Sequence, residues 1–315
     1  RDRSVSRGLG DVYKRQEYTF VRSRDYKGNG LDRIWNMIDL PFKMWKSMKV
    51  FYKQKKPDVI YTSSPDLFVA FFALLFGKKH KVPVVVEVRD LWPESIVTYN
   101  GISGRNPIIQ ILYQLEKLLY KKADSLIFTM PGGKEYLQDE KWNKKINMKK
   151  VFHINNGVDL EEYEKNKKEC IIADKDLESK DIFKVVYVGS IRHVNHLSTL
   201  VECAREIKRR GISNILFLVY GEGTERAMLE KIVKEEKLPV KFKGQIEKKY
   251  IPYILSKASI NVINVMGASI NKYGCSWNKL FEYMASGKPI VSNLEISYDL
   301  IKNCLLYTSP SPRDT

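Results

Sequence analysis

From residue 57 onward, short apolar runs rich in β-branched residues alternate with segments of helical periodicity, and this alternation constrains the fold more than any other feature. Parallel strands joined through crossover helices are covered on both faces, so each reads as a near-continuous apolar run. Residues 58–62 and 83–88 read as strands with a helix at about 66–79 between them. A second helix follows at 106–122, where Ile108, Ile109, Leu112, Leu115 and Leu119 keep helical spacing, and then come strands at 125–129 and 151–154. The polar stretch 160–181, rich in Glu, Lys and Asp, interrupts the pattern and reads as a linker. Beyond it strands near 184–188, 215–219, 240–242, 260–264 and 289–292 alternate with helices near 197–210, 225–236, 248–257 and 277–286. The expected fold is α/β, two Rossmann-like domains at 17–165 and 182–303. Their parallel sheets are expected to face across a cleft, where open α/β folds bind ligands.

The two ends read differently. Residues 6–16 (SRGLGDVYKRQ) and 304–313 (CLLYTSPSPR) can be encoded by one stretch of DNA and its frame-shifted reverse complement. Segments 1–16 and 304–315 are therefore expected to be translated sequencing adaptor and are set aside from fold reasoning. The natural segment is then a fragment. Relative to a complete pair of such domains, it is expected to lack the first strand and glycine loop of the N-terminal domain and the last strand and helices of the C-terminal one.

Of the formal charge of +17, the segment 1–16 carries +3 and 304–315 nothing, which leaves +14 on the rest. Such a surface suits nucleic acid, an anionic membrane face or phosphorylated ligands, and equally a merely Lys-rich solvated surface. No basic recognition motif accompanies the charge, so nucleic acid is not an expected partner. The longest near-apolar run, 67–76, is about half of the roughly 20 residues a membrane span needs. Four Cys without paired spacing read as reduced thiols of a cytoplasmic protein. Between Trp35 and Lys56 a stripe of Trp35, Phe42, Trp45 and Phe51 with Lys43, Lys46, Lys49 and Lys53 keeps helical spacing. It reads either as a core helix with a solvated Lys face or as a helix resting peripherally on an anionic bilayer.

The most specific segment is 276–291, SWNKLFEYMASGKPIV. Ser276 reads as an N-cap, which sets Lys279 and Glu282 three apart on one face of the first turns of a helix. A helix start plus a Lys can hold a diphosphate, and a carboxylate one turn on can accept the two hydroxyls of a ribose. His193 and His196 lack the i, i+4 spacing of a helical metal pair and no carboxylate completes a triad, so they read as loop or helix-start residues and no metal is expected.

The motifs NGVD (156–159), VVYVGSI (185–191), VYGEG (219–223), VKFKGQI (240–246) and NKLFEYMASGKPIV (278–291) follow one another in the order and spacing of the large retaining glycosyltransferase family with the GT-B fold, often called family 4. The chain resembles that family over nearly all of its natural segment. EVRDLWPES (87–95) resembles the branch that builds bacterial capsule and O-antigen sugars. The resemblance implies a nucleotide diphosphate sugar as donor substrate, no cofactor, and a saccharide or polyprenyl-linked acceptor at the inner membrane face. It implies Glu282 as the ribose-binding acid, and Gly189, Gly221 and Gly223 where the backbone passes the nucleotide. The Gly221/Gly223 pair also reads as a plain strand-to-helix turn. Asp90, past the strand at 84–88, reads as a catalytic group that orients the acceptor or stabilises developing positive charge, or as a cap or partner of Arg89. Glu94 is a second candidate.

Two departures stand out. Many members of the family carry an Arg directly after the glycine of the first C-terminal strand and a Lys soon after, where this chain has Ser190 and Asn195; Arg192 and Lys279 are the available substitutes. Many also carry an acid eight positions before the ribose-binding one, where this chain has Gly274. A catalytically silent nucleotide-sugar binder and a nucleotide-sugar epimerase are the alternative functions.

Overall fold

The computed structural model describes residues 5–7, 19–23, 31–64, 66–294 and 296–303. It divides the chain into two compact units, Arg1–Ile154 and Asn155–Thr315. Most of both adaptor-like segments lies outside the described residues; within the first, β1 (Val5–Arg7) pairs antiparallel with β2 (Thr19–Val21).

The first unit continues through α1 (Leu31–Gln54), β3 (Ile60–Ser63), α2 (Leu67–His80), β4 (Val84–Val88), α3 (Glu94–Asn100), α4 (Pro107–Lys122), β5 (Ser125–Phe128), α5 (Gly133–Asp139) and β6 (Val151–His153). Strands β3 to β6 form a parallel sheet in that order. The helix starts are set by local chemistry. Asp66 accepts hydrogen bonds from the N–H groups of Phe68 and Val69 at 3.0 and 3.2 Å, and Asn106 caps α4 with Pro107 in its first turn. The stripe on α1 divides between both sequence readings. Trp45 stacks edge-on against Phe72 and Phe76 of α2, whereas Trp35 and Phe51 stay exposed beside Lys46, Lys49 and Lys53. Among the described residues no helix is long and apolar enough to cross a membrane.

The second unit starts earlier than the sequence pattern suggests. Instead of a linker, 160–181 carries α6 (Leu160–Glu169) and α7 (Lys175–Glu178), capped by Asp159 and Asp174, and both belong to this unit. The expected boundary at 165 therefore moves to Ile154/Asn155. Thereafter β7 (Phe183–Val188), α8 (Ser198–Arg209), β8 (Ile215–Tyr220), α9 (Arg226–Glu235), β9 (Val240–Gly244), α10 (Ile251–Lys257), β10 (Ile260–Ile263), α11 (Asn278–Ala285), β11 (Ile290–Ser292) and α12 (Leu300–Asn303) build a parallel sheet of order β11-β10-β7-β8-β9. Alternate residues serve opposite cores: Val186, Val188, Leu216, Leu218 and Tyr220 on one face, Val185, Tyr187, Phe217 and Val219 on the other.

The strand order reverses between β7 and β10, the place where open α/β sheets bind ligands beyond their carboxyl ends. The β7–β10 ladder holds only two registered pairs, Ile260↔Val185 and Asn261↔Val186. Past them Tyr283 of α11, wholly buried, takes over the edge of β7. The Val188 N–H donates to its hydroxyl at 2.7 Å, and the hydroxyl donates to the Val188 carbonyl at 3.1 Å. One phenol thereby satisfies two backbone groups that would otherwise be buried unpaired. Tyr283→Phe, which leaves both groups without a partner, is expected to destabilise the protein by about 2 to 4 kcal/mol in urea unfolding.

Candidate functional site

Anchoring Tyr283 to the end of β7 sets the neighbouring residues of α11 around the loop that follows that strand. Trp277 is the N-cap, in extended conformation, and its side chain makes no capping hydrogen bond. Ser276 is therefore not the cap that its position suggested. Its Oγ accepts the N–H of Asn156 at 2.8 Å, and its carbonyl accepts the Asn156 side-chain amide. The NGVD segment thus straps the loop before α11 from 120 residues away, and the helix start is left without a side-chain cap from Trp277, the kind of position at which anions bind.

Lys279 lies one turn before Tyr283. Its Nζ donates to Asn195 Oδ1 at 3.0 Å and lies 5.3 Å from the ring centres of both Tyr187 and Trp277. Asn195 is held in turn by its own amide, which donates to the Ser190 carbonyl and hydroxyl at 2.9 Å each. The Asn264 amide donates to the Asn195 carbonyl at 3.2 Å. Lys279 makes no ion pair among the described residues, and burial lowers its pKa to about 8. A cation enclosed by aromatic rings and one neutral amide is costly unless an anion joins it.

Glu282 sits a turn along. Its side chain is 14% exposed and burial raises its pKa; its ion-pair partner is Lys248 at 3.8 Å. Gly189 directly follows β7, and a Cβ there would lie 2.9 Å from the Tyr187 hydroxyl. Gly221 (φ +148°) and Gly223 are required by close approach of two loops: added Cβ atoms would fall 1.8 Å from the Gly189 carbonyl oxygen and 2.0 Å from that of Ile191. Their need for hydrogen in place of a side chain is thus set by protein backbone, whatever ligand passes by. Arg192 is exposed at the start of the turn after β7. His193 faces Glu225 at 3.4 Å and His196 contacts the Thr199 hydroxyl at 3.1 Å, both local contacts at the entry to α8.

Gly274 adopts φ 82°, ψ −179°, a region essentially confined to glycine. The missing acid eight residues before Glu282 is therefore written into the loop backbone.

In the first unit, Asp90 follows β4. Burial raises its pKa, against hydrogen bonds from the Ser95 side chain and the Leu91 N–H that lower it. The residue as a whole is exposed. Its hydrogen-bond partners, the Leu91 N–H and the Ser95 side chain, lie on the way into α3. Glu94 is engaged: it accepts from Thr98 at 3.3 Å and from Tyr113. Tyr187, Trp277 and Tyr283 lie inside the motifs read from the sequence, but no role was read for them there, and Asn195 was taken only as a departure.

Comparison with curated proteins by sequence gives no match. Among solved structures, the sucrose-phosphate synthase of Thermosynechococcus elongatus is similar with a TM-score of 0.63 at 19% identity, covering 92% of this chain and 68% of that one. The alpha,alpha-trehalose-phosphate synthase (UDP-forming) of Burkholderia vietnamiensis gives 0.59 at 10% identity, covering 84% and 66%. HepE of Anabaena, in complex with UDP-glucose, gives 0.56 at 15%, covering 81% and 63%. The chain spans 63 to 68% of the length of these structures, and the likeness is one of fold. One family model, Glycosyltransferase Family 4, matches residues 5–162, and another, Glycosyl transferases group 1, matches 182–305. With two parallel α/β sheets and both family models in place, the chain belongs to the family 4, group 1 glycosyltransferases of GT-B fold.

Proposed function

We propose that this protein transfers a sugar from a nucleoside diphosphate sugar to a hydroxyl acceptor, with the donor held by the second unit. The observation that carries this reading is Lys279: a desolvated ammonium with no carboxylate partner among the described residues, at the switch point of the sheet and beside an uncapped helix start. A diphosphate supplies the missing anion, and as leaving group it needs the stabilisation that preorganised cations and N–H donors provide. Arg192 adds a second, exposed cation from the loop after β7. Glu282 accepts the ribose hydroxyls. The position where many relatives have a Lys holds Asn195 here, and Asn195 binds the Lys279 ammonium, so a cation reaches that place from α11 instead.

Asp90 is assigned to the acceptor side, as the carboxylate that orients the hydroxyl or stabilises charge on the sugar. Retention at the anomeric carbon is what the family likeness implies. A polyprenyl-linked saccharide of the capsule or O-antigen type, met at the inner membrane face, is the proposed acceptor. The EVRDLWPES segment and the exposed Trp35, Phe51 and lysines of α1 support it. No metal or other cofactor enters this scheme, because Lys279, Arg192 and the α11 start supply the charge. Gly274 favours a second reading, a donor binder without turnover, since the acid found there in many relatives is missing. Release of nucleoside diphosphate in the presence of acceptor separates the two.

Calorimetric titration with UDP and GDP is expected to show binding of one of them, weakened about ten- to a hundred-fold in Glu282→Ala. Absence of binding to the folded protein would overturn the donor assignment. A bound diphosphate favours the charged form of Lys279, so affinity should be full below pH about 8 and fall above it, by up to about ten-fold per pH unit. Proton uptake near that pH, read from titrations in buffers of different ionisation enthalpy, checks the sign; Lys279→Met should abolish it.

A further inference from the structure

Tyr163, on α6, has a role that neither the core nor the nucleotide reading has yet used. The residue is 3% exposed, and its hydroxyl is buried with no hydrogen-bond partner among the described residues. Buried hydroxyls in folded proteins are almost always bonded, because a desolvated, unpaired donor destabilises the native state. A Phe would fill the same space without that cost. The oxygen therefore serves something other than the packing of the free protein.

Its surroundings point to what that is. The α6 helix follows the Asn156 strap directly and packs against α10 and the turn Lys248–Tyr250 that precedes it. That same turn sends Lys248 toward Glu282. Of the two carboxylates that act on the phenol, Glu282 acts more strongly than Glu164. Glu164 is engaged at the helix surface with Lys167 at 2.7 Å. Among the described residues Glu282 pairs with Lys248 alone, at 3.8 Å and itself 81% exposed, too long and too wet to fix the orientation of a carboxylate.

We infer that Tyr163 is a positioning residue of the nucleotide site: when a nucleoside diphosphate is bound, its hydroxyl donates to Glu282 and holds that carboxylate for the two ribose hydroxyls. The inference rests on the donor-binding reading above. A carboxylate accepting two hydroxyls must present both oxygens, and a fixed donor on its protein side selects that orientation. In the ligand-free protein the donor has no partner among the described residues, and the site is less stable than it could be in exchange for a preformed ribose clamp.

The test is Tyr163→Phe in the full chain, with melting temperature and calorimetric nucleotide affinity both measured. Removing an unpaired buried oxygen should raise the melting temperature of the ligand-free protein by roughly 2 °C. At the same time the ribonucleoside diphosphate should bind about ten-fold more weakly. The matching 2′,3′-dideoxynucleoside diphosphate, which offers Glu282 nothing, should bind parent and variant alike, and Tyr163→Phe should have no further effect on affinity in a Glu282→Ala background. Unchanged affinity for the ribonucleotide overturns the inference. So does an equal loss with the dideoxynucleotide, or a lower melting temperature, which would reveal a structural partner for the hydroxyl. If the parent protein binds neither UDP nor GDP, the donor reading itself fails, and that result is in hand before any variant is made.

Discussion

The second unit depends on how one open seam in its parallel sheet is closed. At the switch point β7 and β10 share only two registered pairs, and the end of β7 would expose a peptide N–H and C=O to a dry interior. Tyr283 meets both with one hydroxyl. Because that hydroxyl belongs to α11, closing the seam also fixes the helix axially against the strand. Glu282 and Lys279, one residue and one turn before Tyr283, inherit their positions from the same bond pair. A structural requirement of the sheet and a geometric requirement of the site are thus met by one side chain.

Charge at the site follows a different logic from the simplest version of the family pattern. Where many relatives place cations in the loop after the first strand, this chain places neutral polar groups, Ser190 and Asn195, and these form a hydrogen-bonded bracket whose outer oxygen faces the Lys279 ammonium. The rings of Tyr187 and Trp277 shield that ammonium from water, which explains why its proton is held loosely. The loop glycines complete the arrangement by letting backbones touch: Gly221 and Gly223 admit the carbonyls of Gly189 and Ile191.

Much of the fold was legible because buried parallel strands leave long apolar runs between helical repeats. The predicted and observed strands of the second sheet differ by only a residue or two at their ends. The misread part was 160–181. In α6 a single apolar residue, Tyr163, is buried among ten positions otherwise dominated by Glu and Lys, so no amphipathic stripe marks it; its Asp159 cap and one aromatic anchor hold it. Ser276 was misread for a related reason: its hydroxyl answers a donor 120 residues away, not the helix beside it. That Lys279 and Glu282 fall a turn apart on one helix could be anticipated, because residues three apart define a face locally. The bracket around Lys279 could not, since Asn195 lies 84 residues away and no local pattern joins them.

The strap between Asn156 and Ser276 also bears on how such a protein can be divided and recombined. The segment that looks like tether by composition is the outer layer of the second unit, pinned by Asn156 at one end and by the Asp174–Lys243 ion pair at 2.8 Å farther on. A chimera that exchanges first units between relatives should therefore be joined just ahead of Asn155, so that α6 and α7 travel with the sheet they cover. A junction placed within the polar stretch would sever the second unit from its own clasp, and the exchangeable module is larger than its periodicity implies.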